Sequence, residues 1–169
     1  ILVTGCAGFI GFHLSSYLLK KNIHIIGIDN INDYYDINLK KNRLKILKTY
    51  KKFSFNKFDL INKKKLDLIV KKYRIKIIIH LAAQAGVRYS IKNPNSYFKN
   101  NLGVFFNILE VSRLYKINHL IFASTSSVYG QSLNYPSGEN FNSDNPLSFY
   151  AATKKSNEVM AYTYSNVFK

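Results

Sequence analysis

Three glycines near the start constrain this 169-residue chain more than any other feature. They are Gly5, Gly8 and Gly11 in Thr4-Gly5-Cys6-Ala7-Gly8-Phe9-Ile10-Gly11, at G-x-x-G-x-x-G spacing between a short apolar run and an amphipathic pattern. A strand turning directly into a helix through such a stretch lets bare backbone approach a pyrophosphate and packs the helix closely on its strand. The helix N-terminus then offers unpaired N–H groups to an anion. Cys6 lies inside this turn, where a small side chain suffices.

The rest of the chain repeats the strand–helix alternation of a parallel α/β sheet. Strands are expected at 1–4, 23–28, 52–58, 76–81 and 119–124. Helices are expected at 8–21, 39–48, 64–72, near 95–115 and at 149–168. Ile77-Ile78-Ile79 and Leu120-Ile121-Phe122 are continuous apolar runs, which predicts strands covered on both faces. Phe98, Leu102, Phe105, Phe106 and Leu109 recur at helical spacing and predict a stripe facing the core. No repeat or low-complexity linker interrupts the chain. The stretch 126–145, with Gly130, Pro136 and Gly138 and followed by Pro146, reads as an extended loop after the fifth strand, where α/β folds collect functional groups.

A net charge of +16 ordinarily raises nucleic acid or an anionic membrane as partner. Here the favoured residues Lys, Asn, Ile, Phe and Tyr share A/T-rich codons. The lysines fall in short groups (20–21, 40–41, 51–52, 63–65, 71–72), mostly where amphipathic helices should face water. A solvated surface is the better reading, with no nucleic acid and no membrane as partner. No apolar run approaches the roughly 18 residues of a membrane span. The single cysteine precludes an internal disulfide and fits a reducing, cytoplasmic compartment. The opening Ile1-Leu2-Val3, without methionine and mid-strand, and the stop at Phe168-Lys169 lead us to expect a fragment.

Asp29 follows the second strand, 18 residues beyond Gly11. A carboxylate there accepts hydrogen bonds from an adenosine ribose and repels a 2′-phosphate, favouring NAD over NADP. Near the other end, Tyr150-Ala151-Ala152-Thr153-Lys154 places a phenol and an ammonium on one helix face. A free phenol titrates near pH ~10, too high for a base at neutral pH, and a neighbouring ammonium favours the phenolate. Thr125, flanked by Ser124 and Ser126 after the fifth strand, can hydrogen-bond a reacting oxygen. Taken singly, Tyr150 reads as one of 13 tyrosines and Thr125 as a strand-end cap. Combined with the glycine turn, they point to redox chemistry on an alcohol.

These motifs resemble the extended short-chain dehydrogenase/reductase family, the NAD-dependent nucleotide-sugar epimerases and dehydratases. The resemblance runs across essentially the whole chain. The stretches 29–36 (Asp-Asn-Ile-Asn-Asp-Tyr-Tyr-Asp) and 80–90 (His-Leu-Ala-Ala-Gln-Ala-Gly-Val-Arg-Tyr-Ser) look like UDP-glucuronate 4-epimerases in particular, and Val128-Tyr129-Gly130 fits the wider group. The resemblance implies a Rossmann-type doubly wound parallel sheet over residues 1–169, with a smaller C-terminal substrate region absent. It implies NAD as cofactor, held by Gly5, Gly8, Phe9, Ile10, Gly11, Asp29, Asn30, Asp59 (at the adenine), Leu60, Leu81, Ala82, Ala83, Asn101, Tyr150 and Lys154. It makes Tyr150, Lys154 and Thr125 catalytic, and places Arg88, Thr125, Ser126 and Tyr150 at a nucleotide-sugar substrate. It also implies a homodimer through the helices near 95–115 and 149–168.

The implied reaction is reversible oxidation at a sugar C4. Tyr150 takes the O4 proton while hydride moves to NAD, and the 4-keto intermediate turns over before hydride returns to its other face. Family 4,6-dehydratases carry an Asp-Glu pair after the catalytic Thr, whereas Ser126-Ser127 stand here. The Glu that related decarboxylases place nearby is also absent. That favours 4-epimerisation, UDP-glucuronate to UDP-galacturonate first, UDP-glucose or a UDP-N-acetylhexosamine second, and a non-catalytic NAD-binding sensor or scaffold as the reading from another class. Two departures stand out: Ile61-Asn62 after Asp59-Leu60, where relatives often have a second acid, and Gly103-Val104, where relatives commonly have glycine one position later. His80 reads as a core histidine, and His13, His24 and His119 lack metal spacing. Arg88 could read a uronate carboxylate or phosphate, or form a structural ion pair.

Overall fold

The computed structural model describes residues 1–131 and 136–168. Five parallel strands, β1 (Leu2–Thr4), β2 (Ile25–Asp29), β3 (Phe53–Lys57), β4 (Ile77–His80) and β5 (His119–Phe122), form one sheet in the order β3-β2-β1-β4-β5. The order reverses between β1 and β4. Such a switch point opens a crevice at the carboxyl ends of the strands, where ligands bind in doubly wound sheets. The central strands are closed on both sides: every residue of β1 and β2 is buried.

Helices α1 (Phe9–Lys20), α2 (Ile37–Leu47), α3 (Lys63–Lys72), α4 (Val87–Lys92), α5 (Pro94–Tyr97), α6 (Val104–Leu114) and α7 (Phe149–Val167) fill the connections. Their starts are set by local chemistry. Asp36, Asn62, Asn93 and Ser148 each accept a first-turn N–H from Asn38, Lys65, Ser96 and Ala151. Their buried faces follow the helical period: Gly11, Ser15 and Leu19 in α1, Leu66 and Val70 in α3.

The chain divides into two compact units, Ile1–Ala82 with Glu110–Phe122, and Ala83–Leu109 with Ala123–Lys169. In the first, Val3, Cys6, Ala7, Leu19, Ile25, Leu44, Leu47 and Ile79 form the core. Gly27 in β2 is required there, because a Cβ would come within 2.7 Å of the Cys6 sulfur and 2.8 Å of the Phe53 ring. In the second unit Tyr97, Phe105, Ile108 and Ala151 are completely buried.

Four expectations are corrected. Within this chain Ile121 is 46% exposed and β5 pairs with β4 alone, so the residues present do not cover its apolar run on both faces. The helix expected near 95–115 is continuous from α5 to α6, with a π-helical turn, Phe98–Gly103, between them. Of its expected core stripe, Phe105 and Leu109 are buried, but Phe98 and Phe106 are exposed. Lys40, grouped with Lys41 as solvated, is 4% exposed, its ammonium drawn to Asn32. The loop expected over 126–145 begins with a 3-10 turn, Ser126–Tyr129; its residues 132–135, like Lys169 at the chain end, lie outside the described residues.

Candidate active site

In the first unit the glycine turn is a cradle closed to side chains at Gly5 and Gly11. Gly5 has φ +68°, and a Cβ there would stand 2.8 Å from the Ala82 nitrogen. At Gly11 a Cβ would stand 2.1 Å from the Gly5 carbonyl oxygen. Gly8 caps α1 without a side chain, which leaves first-turn N–H groups available to an anion. Phe9 and Ile10, beginning α1, are both exposed.

Asp29 is buried at the end of β2, and both of its oxygens are engaged: Oδ2 accepts from the Ala7 N–H at 3.0 Å and Oδ1 from the Ile31 N–H at 2.9 Å. The carboxylate therefore fastens the glycine turn to β2, while each oxygen keeps a second lone pair for a hydroxyl. Asn30 Oδ1 accepts from Asn32 N–H and Asp59 Oδ1 from Ile61 N–H, so both shape the turns after β2 and β3; Leu60 is buried beneath. The hydroxyl of Thr4 accepts the N–H groups of Leu81 and Ala82 at 3.1 and 3.2 Å and lies 2.8 Å from His80 Nδ1. His80 is thus the core histidine expected, helping to hold the backbone beside the cradle.

Helix α2 adds two cations unforeseen from the sequence. Arg43 Nη1 donates to the Ala7 carbonyl, and its guanidinium stands 5.7 Å from the Phe9 ring centroid. Lys40 Nζ donates to both oxygens of Asn32 and lies 4.2 Å from the Tyr35 ring centroid. Burial lowers the Lys40 pKa, opposed by Asp29 and Asp33.

The second unit carries the candidate acid–base groups. Ser148 caps α7, so Tyr150 sits in the first helical turn, half-buried, with its ring edge-on to Tyr97 (centroids 6.0 Å apart, 73°). Tyr97 is itself fully buried, and its hydroxyl is directed at the carbonyls of Ala85 and Gly86 just before α4. Lys154, one turn beyond Tyr150, is 3% exposed. Burial lowers its pKa to about 8, opposed by the charge of Glu158. A buried ammonium wants acceptors, and among the described residues no side chain or carbonyl accepts a hydrogen bond from it.

Thr125 caps the 3-10 turn, its Oγ1 accepting from the Ser127 N–H at 3.2 Å, so the capping role is real. Its O–H is directed at Ser127 Oγ, also 3.2 Å away, and Ser126 is exposed. Asn101 lies in the π-helical turn, 1% exposed; Oδ1 accepts from Gln84 N–H, and Nδ2 donates to Gln84 O and Thr153 Oγ1. It brackets the segment after β4 to α7, with one Oδ1 lone pair to spare. Asn157, turned with its nitrogen inward, donates to the main-chain oxygens of Asn101 (3.0 Å) and Thr153 (3.1 Å). Arg88, on α4, is exposed and makes no ion pair with the described residues. Ala83 is exposed in the same segment.

The model of the family described as GDP-mannose 4,6 dehydratase matches residues 2–169. The chain belongs to that family. Protein CapI of Staphylococcus aureus is 51% identical over 168 residues, 99% of this chain and 50% of that protein. A UDP-glucuronate 4-epimerase of Thermodesulfobacterium geofontis is 45% identical over 168 residues, 99% of this chain and 51% of that protein. The crystal structure of UDP-glucuronic acid 4-epimerase from Bacillus cereus with UDP-glucuronic acid and NAD superposes at TM-score 0.91 with 37% identity, covering 99% of this chain and 52% of that one. The chain thus spans about half the length of the relatives it matches. Among the described residues no helix is long and apolar enough to cross a membrane.

Proposed function

We propose that this chain supplies the cofactor- and acid/base-bearing part of an NAD-dependent nucleotide-sugar 4-epimerase, with UDP-glucuronate as first substrate. The observation that carries the reading is Lys154: a buried ammonium without an acceptor among the described residues, one helical turn from the phenol of Tyr150, in a chain whose other unit holds the glycine-lined anion cradle. The donor set fits NAD. Gly5, Gly8 and Gly11 with the first-turn amides of α1 take the pyrophosphate, and the free lone pairs of Asp29 take the adenosine ribose. Lys154 takes the nicotinamide ribose hydroxyls. When bound, NAD supplies the reversible two-electron acceptor.

In the reaction Tyr150 acts as a phenolate, favoured by the neighbouring Lys154 charge, and becomes the neutral phenol on taking the proton from the sugar O4. Thr125 donates its hydroxyl hydrogen bond to the same oxygen and holds it in line. On return, Tyr150 gives the proton back to the inverted alcohol. No carboxylate follows Thr125, where Ser126 and Ser127 stand, so this chain offers no acid–base pair there for expelling water. That separates the proposed chemistry from the dehydration in the family's description. Arg88, exposed and without an ion pair among the described residues, is proposed to meet the uronate carboxylate or a phosphate. A homodimer is supported by apolar side chains left exposed on the two helical regions: Phe98 and Phe106 on one, Val159 and Tyr162 on the other.

The test is proton NMR of the full-length protein that carries this chain, with UDP-glucuronate in one tube and UDP-glucose in another. Galacturonate signals in the first alone support the proposal. Conversion only of UDP-glucose moves the substrate to neutral sugars, and no conversion with NAD retained favours a sensor or scaffold. Tyr150→Phe must abolish turnover; unchanged turnover overturns the catalytic assignment.

A further inference from the structure

Glu158 lies one turn beyond Lys154 on α7, and its two oxygens are differently employed. Oε1 accepts the Ser124 hydroxyl at 2.5 Å, a link across 34 residues, and Oε2 lies 3.5 Å from Lys155 Nζ, which in turn donates to Ser143 Oγ. Ser124 immediately precedes Thr125. The carboxylate therefore joins the helix that carries the phenol and ammonium to the backbone that carries the threonine. An i,i+3 pair such as Lys155–Glu158, with both side chains about a third exposed, contributes only about 0–1 kcal/mol alone. The bond to Ser124 is what a helix-surface ion pair does not explain.

Charge balance adds a second, independent reason. The sequence of this unit has three acids, Glu139, Asp144 and Glu158, against six lysines and arginines. The elements packed on α7 bring Arg88, Tyr89 and Lys92 (α4), Tyr97 (α5), Lys99 (the π-helical turn) and Tyr129 (the 3-10 turn), none of which is an anion at neutral pH. On α7 itself the ionisable neighbours of Lys154 are Tyr150, Lys155 and Glu158. The desolvation that lowers the Lys154 pKa is opposed by one named charge, Glu158.

We propose that Glu158 is a positioning residue for the reaction: by accepting the Ser124 hydroxyl it fixes Thr125 against the catalytic face of α7, and its negative charge balances the Lys154 ammonium. This rests on the epimerase reading above. Glu158 need touch neither substrate nor cofactor; it acts through Thr125 and Lys154.

The experiment is kcat and KM for the UDP-sugar against pH, in the NAD-loaded full-length protein, for wild type, Glu158→Gln, Ser124→Ala and Lys155→Met. Glu158→Gln keeps an acceptor for Ser124 but removes the charge. Its alkaline limb is expected to move down by about one pH unit, with KM nearly unchanged. Ser124→Ala keeps the charge but removes the link, and lowers kcat several-fold at every pH without moving the limb. Lys155→Met, which breaks the surface pair and the contact with Ser143 but leaves the Ser124 link in place, follows the wild type. A wild-type pH profile in Glu158→Gln overturns the charge role, and a wild-type kcat in Ser124→Ala overturns the link. Should Glu158→Gln fold poorly, Ser124→Ala alone still decides the link and Glu158→Asp, which keeps the charge, must restore the limb. A wild-type protein that epimerises no UDP-sugar refutes the functional reading instead, which these variants cannot mimic.

Discussion

Replacing Gly11 by alanine isolates one physical demand of the glycine turn. Inside an exposed helix this change would gain about 1 kcal/mol of helix propensity. Here the new Cβ would stand 2.1 Å from the Gly5 oxygen, 2.8 Å from the Gly5 carbonyl carbon and 3.0 Å from the Cys6 Cα, all backbone atoms that cannot rotate away. Relief requires α1 to move off β1 by about 1 Å, and forced repacking of that kind costs about 3 kcal/mol, the upper end of the usual overpacking range. The net expectation is a loss of about 2 kcal/mol. Gly8→Ala is the internal control. Its Cβ would lie 3.1 Å from the Gly5 oxygen and 3.7 Å from the Tyr35 hydroxyl, at an extended φ of −68° that alanine adopts freely. It should cost less than about 1 kcal/mol, chiefly as a weakened N-cap. Urea unfolding of both variants in the full-length protein, with NAD affinity by calorimetry, separates the two demands. Gly11→Ala loses stability and affinity together, whereas Gly8→Ala loses affinity more than stability. A Gly11→Ala protein within about 0.5 kcal/mol of wild type, the range of an ordinary surface substitution, refutes the close-packing argument.

Asn101→Ala leaves the buried Gln84 N–H and C=O without partners and should cost at least about 2 kcal/mol, read as a lower urea midpoint at unchanged slope. Lys154 predicts a pH dependence of the NAD-free protein. Its folded pKa, about 8, lies below the ordinary value of 10.5, so between those two values the unfolded chain binds more protons and stability rises with pH. The gain attributable to this group is roughly 3 kcal/mol across the window. Lys154→Met should flatten that part of the stability–pH curve, and a curve unchanged by the substitution refutes the buried-ammonium reading.

The sheet was legible because its signals are local. Four strands are short β-branched or apolar runs, β3 alternates Phe53 and Phe55 with polar residues, and the main helices carry periodic stripes, so all five strands and the main helices fall within a few residues of expectation. Where the reading failed, the deciding fact lay elsewhere in the chain. Ile121 looks in its own window like a residue covered on both faces; only the packing of this chain leaves it 46% exposed. Lys40 looks like a surface lysine, and only the Asn32 loop folding over it makes it buried. Helix α4, six residues long, is shorter than two turns and shows no period to detect.

The same distinction runs through the candidate site. Gly5, Gly8 and Gly11 declare themselves, because the motif's spacing is itself the geometry it builds. Tyr150 and Lys154 do so too, because four residues along a helix bring two side chains onto one face. Their supports do not. The Asn101 side chain meets residues 17 and 52 positions away, and Glu158 meets Ser124 across 34. No window contains both partners. The π-helical turn makes the point sharpest. Inserting an extra residue into the helical turn disturbs the regular carbonyl pairing, and the Asn101 main-chain oxygen accepts from the Asn157 amide on α7. A local defect in one helix thereby becomes a fixed contact with the helix that carries the phenol. The groups that perform chemistry are thus written in short motifs, while the groups that aim them are written in pairs that only the fold brings together.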